Sequence, residues 1–165
     1  MIYRLLLSMS VVFMIGFGAS QAFASKPIKA INTNDDGVAI HGYDTVAYFT
    51  KGKPVKGKKK YSYKWKGAKW YFSSKKHKKL FIGNPTKYAP QYGGYCAYAV
   101  SYGGPADVDP YSWKVYNGKL YLNLNRNIYN KWKMDVDGYI ERADEKWPNI
   151  SKYAEEDDDD DDGEE

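Results

Sequence analysis

The 165-residue chain contains one cysteine and two histidines. An internal disulfide is therefore impossible, and a closed structural zinc site, which takes four Cys, His or carboxylate ligands, has too few donors to be expected. Arginine is almost as scarce. After Arg4 only Arg126 and Arg142 occur, so the residue that most often reads bases and phosphates is nearly missing from a lysine-rich chain, which argues against a nucleic-acid partner. No acidic residue lies between Asp44 and Asp107. Also missing are an HExxH pattern, a phosphate-cradling glycine loop, a Ser-His-Asp order and a paired-carboxylate motif. Gly103-Gly104-Pro105 reads as a turn.

The one long apolar run is at the start. Arg4 precedes a stretch from Leu5 to Gly18 that ends in Ala22-Phe23-Ala24, the A-x-A form of a signal-peptidase site. Ser8, Ser10, Gly16 and Gly18 interrupt that run. It is already too short for a membrane span, which needs an unbroken apolar helix. Cleavage is expected after Ala24, giving a soluble periplasmic or secreted protein. The expected organisation is a signal peptide (1–24), one domain (25–154) and a disordered acidic tail (155–165).

Charge is distributed unevenly between those parts. The formal net charge is +5, yet residues 155–165 carry ten acids and no base, so the domain itself is strongly basic. A one-signed face concentrates anions and steers encounters, so an anionic surface or a small ligand is an expected partner class, set against a lysine surface that only keeps the chain soluble. Tyrosine is the commonest aromatic, with 17 copies against six Phe and five Trp, which suits strand surfaces and clefts better than a helical bundle.

Local pattern predicts an α+β fold, a small antiparallel sheet of hairpins with helices packed on it. Val38 to Thr50 opens the fold and Lys51 to Lys60 is a charged loop. Tyr61 to Trp65 alternates as a half-buried strand, and Gly67 turns it into Lys69 to Phe72. A helix capped by Ser73 or Ser74 then places His77, Leu80 and Phe81 on one face and ends by Pro85. The same order recurs with Trp113 to Tyr116, Asn117-Gly118, Leu120 to Leu122 and a helix from about Asn125. At one constant offset in numbering Gly67 matches Gly118, Trp70 matches Tyr121, Phe81 matches Trp132 and Tyr88 matches Tyr139, the pattern a duplicated unit would leave. A last helix is expected near Gly138 to Trp147, stopped by Pro148.

The segment Tyr61 to Tyr88, together with GYDTVAYF (Gly42 to Phe49), YAPQYGGYCAYAV (Tyr88 to Val100) and GKLYLNLN (Gly118 to Asn125), resembles the YHS family, in its stand-alone exported branch. Short members of that family accompany copper-transporting ATPases and carry thiols that suggest a soft-metal site. The resemblance implies metal handling, but Ala47, Ser73 and His77 stand here where those thiols stand in the relatives.

Copper(I) accepts few, soft donors, so the candidate metal pair is Cys96 with His77. Cys96 follows Gly93-Gly94 and is either a reactive thiol or a core-filling one. Asp44 is placed to orient a histidine or cap a turn, the turn being favoured. Tyr43, Tyr48, Tyr95 and Tyr98 are candidates, with Asp44, to line a cleft, and aromatic core packing accounts for the tyrosines equally well. Three functions stay open: a binding module handling copper or another soft metal through Cys96, a thiol-dependent redox protein or enzyme using Cys96, and a structural or partner-binding domain without chemistry. No catalytic residue is assigned, and an enzyme is the less favoured class.

Overall fold

A computed structural model describes residues 28–152. The signal peptide, its cleavage site at Ala24 and the acidic tail lie outside the described residues. The elements in order are α1 (Thr45–Thr50), β1 (Lys58–Trp65), β2 (Ala68–Phe72), α2 (Lys75–Gly83), α3 (Pro85–Tyr88), α4 (Ala97–Ser101), β3 (Asp109–Tyr116), β4 (Lys119–Asn123), α5 (Arg126–Trp132) and α6 (Val136–Ser151), with short 3-10 turns at Ile40–Gly42, Tyr92–Gly94 and Lys133–Asp135. The fold is α+β, as the sequence predicts. The strands form two separate two-stranded antiparallel sheets, β1-β2 and β3-β4, rather than one.

Each hairpin closes on a left-handed pair, Lys66-Gly67 and Asn117-Gly118, the backbone that matches strand twist in a two-residue turn. Their registers correspond position by position. Ser62 faces Tyr71 and Trp65 faces Ala68, while at the matching places of the second hairpin Trp113 faces Leu122 and Tyr116 faces Lys119, and both ladders slip in the same place towards their open ends. A helix follows each hairpin with a side-chain cap, Ser74 accepting from the His77 N–H and Asn125 from the Ile128 N–H. The open edge of each second strand is covered by incoming chain: Val38 bridges to Lys69 of β2 and Pro90 to Leu120 of β4.

Lys58 to Lys60 belong to β1 rather than to a loop, because the ladder runs past the alternating segment with its lysines left in solvent. The expectation that Pro148 stops the last helix fails. Proline removes one N–H bond, but its carbonyl still accepts the Lys152 N–H, so α6 completes another turn to Ser151.

Two aromatic clusters fill the interior. In the first, Phe81 of α2 lies among Trp65, Trp70 and Phe72 at centroid distances of 5.6, 5.2 and 5.0 Å. In the second, Trp132 of α5 packs on Tyr121, with Tyr92, Val100 and Ala143 around them, and α6 lies against α4. The chain before α1 is pinned by a close backbone approach. Gly93 sits at φ +59, and a Cβ there would collide with the Ala30 carbonyl oxygen, so no larger residue fits. Among the described residues no helix is long and apolar enough to cross a membrane.

Candidate functional site

The most heavily bonded side chain is Asp44, at the N-terminus of α1 and fully buried. One carboxylate oxygen accepts the backbone N–H of Val46 at 3.0 Å and that of Ala47 at 3.3 Å, the ordinary capping arrangement. The other accepts the Ser73 N–H at 2.8 Å, the Ser73 hydroxyl at 2.6 Å and the His77 Nδ1 at 2.6 Å. One carboxylate therefore ties the start of α1, the end of β2 and the first turn of α2 together. It both caps the turn and orients the histidine, the two roles the sequence leaves open.

His77 is buried with both ring nitrogens engaged, since Nε2 lies 3.3 Å from the Thr50 Oγ1. That hydroxyl directs its own proton to the Val46 carbonyl at 3.0 Å. A nucleophilic triad needs the imidazole between carboxylate and hydroxyl. Here a single nitrogen, Nδ1, faces both groups, the Asp44 carboxylate at 2.6 Å and the Ser73 Oγ at 3.4 Å, and the Ser73 hydroxyl gives its proton to the carboxylate at 2.6 Å, so the three side chains close a ring around one oxygen with the connectivity of a structural tie.

Cys96 is fully buried in the first core cluster, next to α4. Its sulfur accepts the Leu124 N–H at 3.3 Å and faces the Asn123 Oδ1 at 3.8 Å. Burial pushes the thiol up from its ordinary range, against the partly opposing N–H groups of Ala99, Leu124 and Tyr98. The structure gives Cys96 and His77 separate sets of partners, and among the described residues no three His, Cys, Asp or Glu side chains are grouped to hold a metal ion. A soft-metal site does not fit these donors: Ala47 has none, Ser73 gives its proton to Asp44, His77 is engaged at both nitrogens, and Cys96 bonds elsewhere.

The tyrosines that sequence reasoning places in a cleft are spread over the molecule. Tyr48 is buried, its hydroxyl donating to the Pro110 carbonyl at 2.9 Å and its ring edge-on to Trp113. Tyr95 donates to the Lys29 carbonyl at 2.9 Å. Tyr43 meets Tyr111 edge-on at a centroid distance of 5.8 Å. The Lys56 ammonium lies over the Tyr43 ring. Tyr98 belongs to a surface trio with Tyr102 and Tyr139; its bond to the Tyr102 hydroxyl pushes it up to about 12, while the same bond holds Tyr102 below its ordinary value.

The charge excess expected from the sequence takes a definite place on the first hairpin. On the solvent side of the first hairpin, Lys59, Ser62, Tyr63 and Lys64 of β1 and Lys69 and Tyr71 of β2 line one open basin. Lys64 and Lys69 are directly opposite in the ladder, a like-charge pair that opposes sheet formation. Asp35 and Asp36 edge the basin, yet Lys69 donates to the Asp36 carbonyl rather than to a carboxylate. Among the described residues the carboxylates that meet a basic side chain meet His41, His77 and Arg142, and no lysine pairs with a described carboxylate. The first turn of α2 likewise holds Lys75 and Lys76 and no acid, against the helix dipole. The signal that identifies the basin is the alternation Lys64, Tyr63, Ser62 across from Lys69 and Tyr71, legible once the register is fixed.

Residues 46–92 match the family model described as YHS domain, which spans α1 through the first hairpin, α2 and α3 and reaches Tyr92. No curated protein and no solved structure matches the chain. Within residues 46–92, the segment that matches the YHS domain model, Ala47, Ser73 and His77 gather around the Asp44 carboxylate.

Proposed function

We propose that the chain is an exported binding module for an anionic polymer, recognised on the lysine and tyrosine face of the β1-β2 hairpin. The observation that carries this reading is the set of exposed lysines with no carboxylate partner in the described fold, among them the opposed pair Lys64 and Lys69. Unneutralised like charges held side by side lower the stability of a hairpin and raise its attraction for an anion. The tyrosines supply ring faces and hydroxyls beside those charges, a combination suited to a sugar or another flat polar unit. Against the copper and thiol-redox readings weigh the burial of Cys96 and the partners already taken by His77. The shared register of the two hairpins favours their origin in a duplicated unit, the first half of which keeps the charged face.

The test is binding to heparin, a sulfated polysaccharide, at low ionic strength. Lys64→Glu with Lys69→Glu is expected to lower affinity by about tenfold or more, since each reversed surface charge contributes up to about 1 kcal/mol. The effect should shrink as added salt shortens the screening length. Unchanged affinity in the double variant would remove this face from the reading. Export has its own check: N-terminal sequencing of the mature protein is expected to begin at Ser25, following the Ala22-Phe23-Ala24 site, and an intact Met1 would contradict it.

A further inference from the structure

The place where the chain leaves the described fold bears on the same face. Ser151, the last residue of α6, lines a groove together with Trp147 of the same helix and with Trp65 and Lys66 at the tip of the first hairpin. One step in from that tip lies the pair Trp65 and Ala68, and the next is Lys64 and Lys69. Chain emerging from α6 therefore starts across a groove from the tip of the hairpin that carries the basin.

What emerges is the acidic segment. Thirteen residues follow Lys152, and those from Glu155 onward hold ten acids, with six consecutive aspartates from Asp157 to Asp162, and no base. At the reach of an extended chain, Asp157 can lie as far as about 20 Å from Ser151 and the end of the chain as far as about 50 Å. Strand β1 spans about 27 Å at ordinary strand rise. The segment is thus long enough to pass the hairpin tip and run the length of β1. The facing charges are complementary, since the basin lysines have no described carboxylate partner and the segment has no base.

We propose that residues 155–165 dock on the Lys59, Lys64 and Lys69 face of the β1-β2 hairpin and compete there with the anionic partner, an internal ligand that sets a threshold for binding. The docking follows from charge and point of exit alone, and the competition rests on the binding reading above. A short tether gives an effective concentration on the order of 1 mM. Against a polyionic contact with Kd on the order of 0.1 mM, the weak end of such contacts, the segment lowers apparent affinity for an external polyanion by about tenfold.

The experiment compares the full chain with one ending at Ala154, by amide NMR and by heparin titration, from about 20 mM to about 500 mM salt, a range over which the screening length falls from about 20 Å to about 4 Å. At low salt the amides of residues 58–72 are expected to differ between the two chains, and the difference should vanish at high salt and in the full chain carrying Lys64→Glu and Lys69→Glu. Heparin should bind the shortened chain about tenfold more tightly at low salt and equally at high salt. Amide differences without heparin binding by either chain would uphold the docking and refute the polymer reading. Identical hairpin amides in the two chains, or differences confined to another part of the molecule, would overturn the docking whatever heparin does.

Discussion

Replacing Asp44 by alanine is expected to cost about 3–5 kcal/mol of folding stability, since each buried donor left without its acceptor costs about 1–3 kcal/mol. The carboxylate is fully buried and accepts five hydrogen bonds, from Val46, Ala47, Ser73 twice and His77; alanine removes the acceptor of the Val46 N–H, of both Ser73 donors and of the His77 Nδ1, while the Ala47 N–H keeps the Asp44 backbone carbonyl. Small domains hold only about 5–15 kcal/mol in all, so the variant should sit near its unfolding midpoint in mild denaturant. Asp44→Asn separates charge from shape. Its remaining oxygen can still cap α1, but its NH2 group faces the Ser73 N–H, one donor against another, and a loss of about 1–3 kcal/mol is expected from that stranded group. His77→Ala removes one donor and leaves four, so it should be milder than Asp44→Ala. Urea unfolding of the three variants checks the order. A loss below about 1 kcal/mol for Asp44→Ala would show that the cluster does not hold the three elements together.

The hairpins, their turns and the helices after them are legible in the sequence because each is specified locally: alternation over a few residues, Gly at left-handed turn positions, a serine or asparagine cap just ahead of the N–H it accepts. The Asp44 cluster is legible only in part. Its members are 29 and 33 residues apart, and whether an aspartate at a turn also meets a histidine depends on how α1 packs on α2, which no local pattern records. The cleft of tyrosines fails for a similar reason. Tyr48 and Tyr95 point their hydroxyls at carbonyls in Pro110 and Lys29, distant segments that capture them one by one.

The lysine basin shows the reverse case. Its residues are visible as a charge excess, and charge alone fits a solvated surface as well as a binding one. Register is what distinguishes them, because it sets Lys64 against Lys69 and puts Tyr71, opposite Ser62, on the same face. The matching order of the two hairpins bears on Cys96 as well. The counterpart of Leu124 in the first unit is Ser73, whose N–H goes to the Asp44 carboxylate, while the Leu124 N–H goes to the Cys96 sulfur. In each unit the first backbone donor after the hairpin is collected by a buried side chain at the start of the preceding helix, an aspartate in one and a cysteine in the other.

From that structural role comes the expected behaviour of the thiol. In the reduced native protein Cys96 should react with a thiol reagent at least about a thousandfold more slowly than in the unfolded chain, because reaction then waits on an open population of roughly 10⁻³ or less. Two features act together: the sulfur is sealed in the core, and burial holds the thiol above its ordinary pKa, so the closed form carries less thiolate at neutral pH than a free cysteine does. Copper(I) should leave the slow rate unchanged, and Cys96→Ser should leave copper(I) affinity unchanged, because the native fold seals Cys96 from the metal, and any copper(I) held at the exposed Met134 thioether does not involve it. Serine keeps an acceptor for the Leu124 N–H, so Cys96→Ser should cost less stability than Cys96→Val, which matches the thiol more closely in apolar character but strands that donor. A native rate within about tenfold of the unfolded one would mean an accessible thiolate. Suppression of that rate by copper(I) would then restore the soft-metal reading, and a fast rate indifferent to copper(I) would make Cys96 a redox thiol; sealed reactivity with the Cys96→Ser and Cys96→Val order as stated leaves it a capping residue of the second unit.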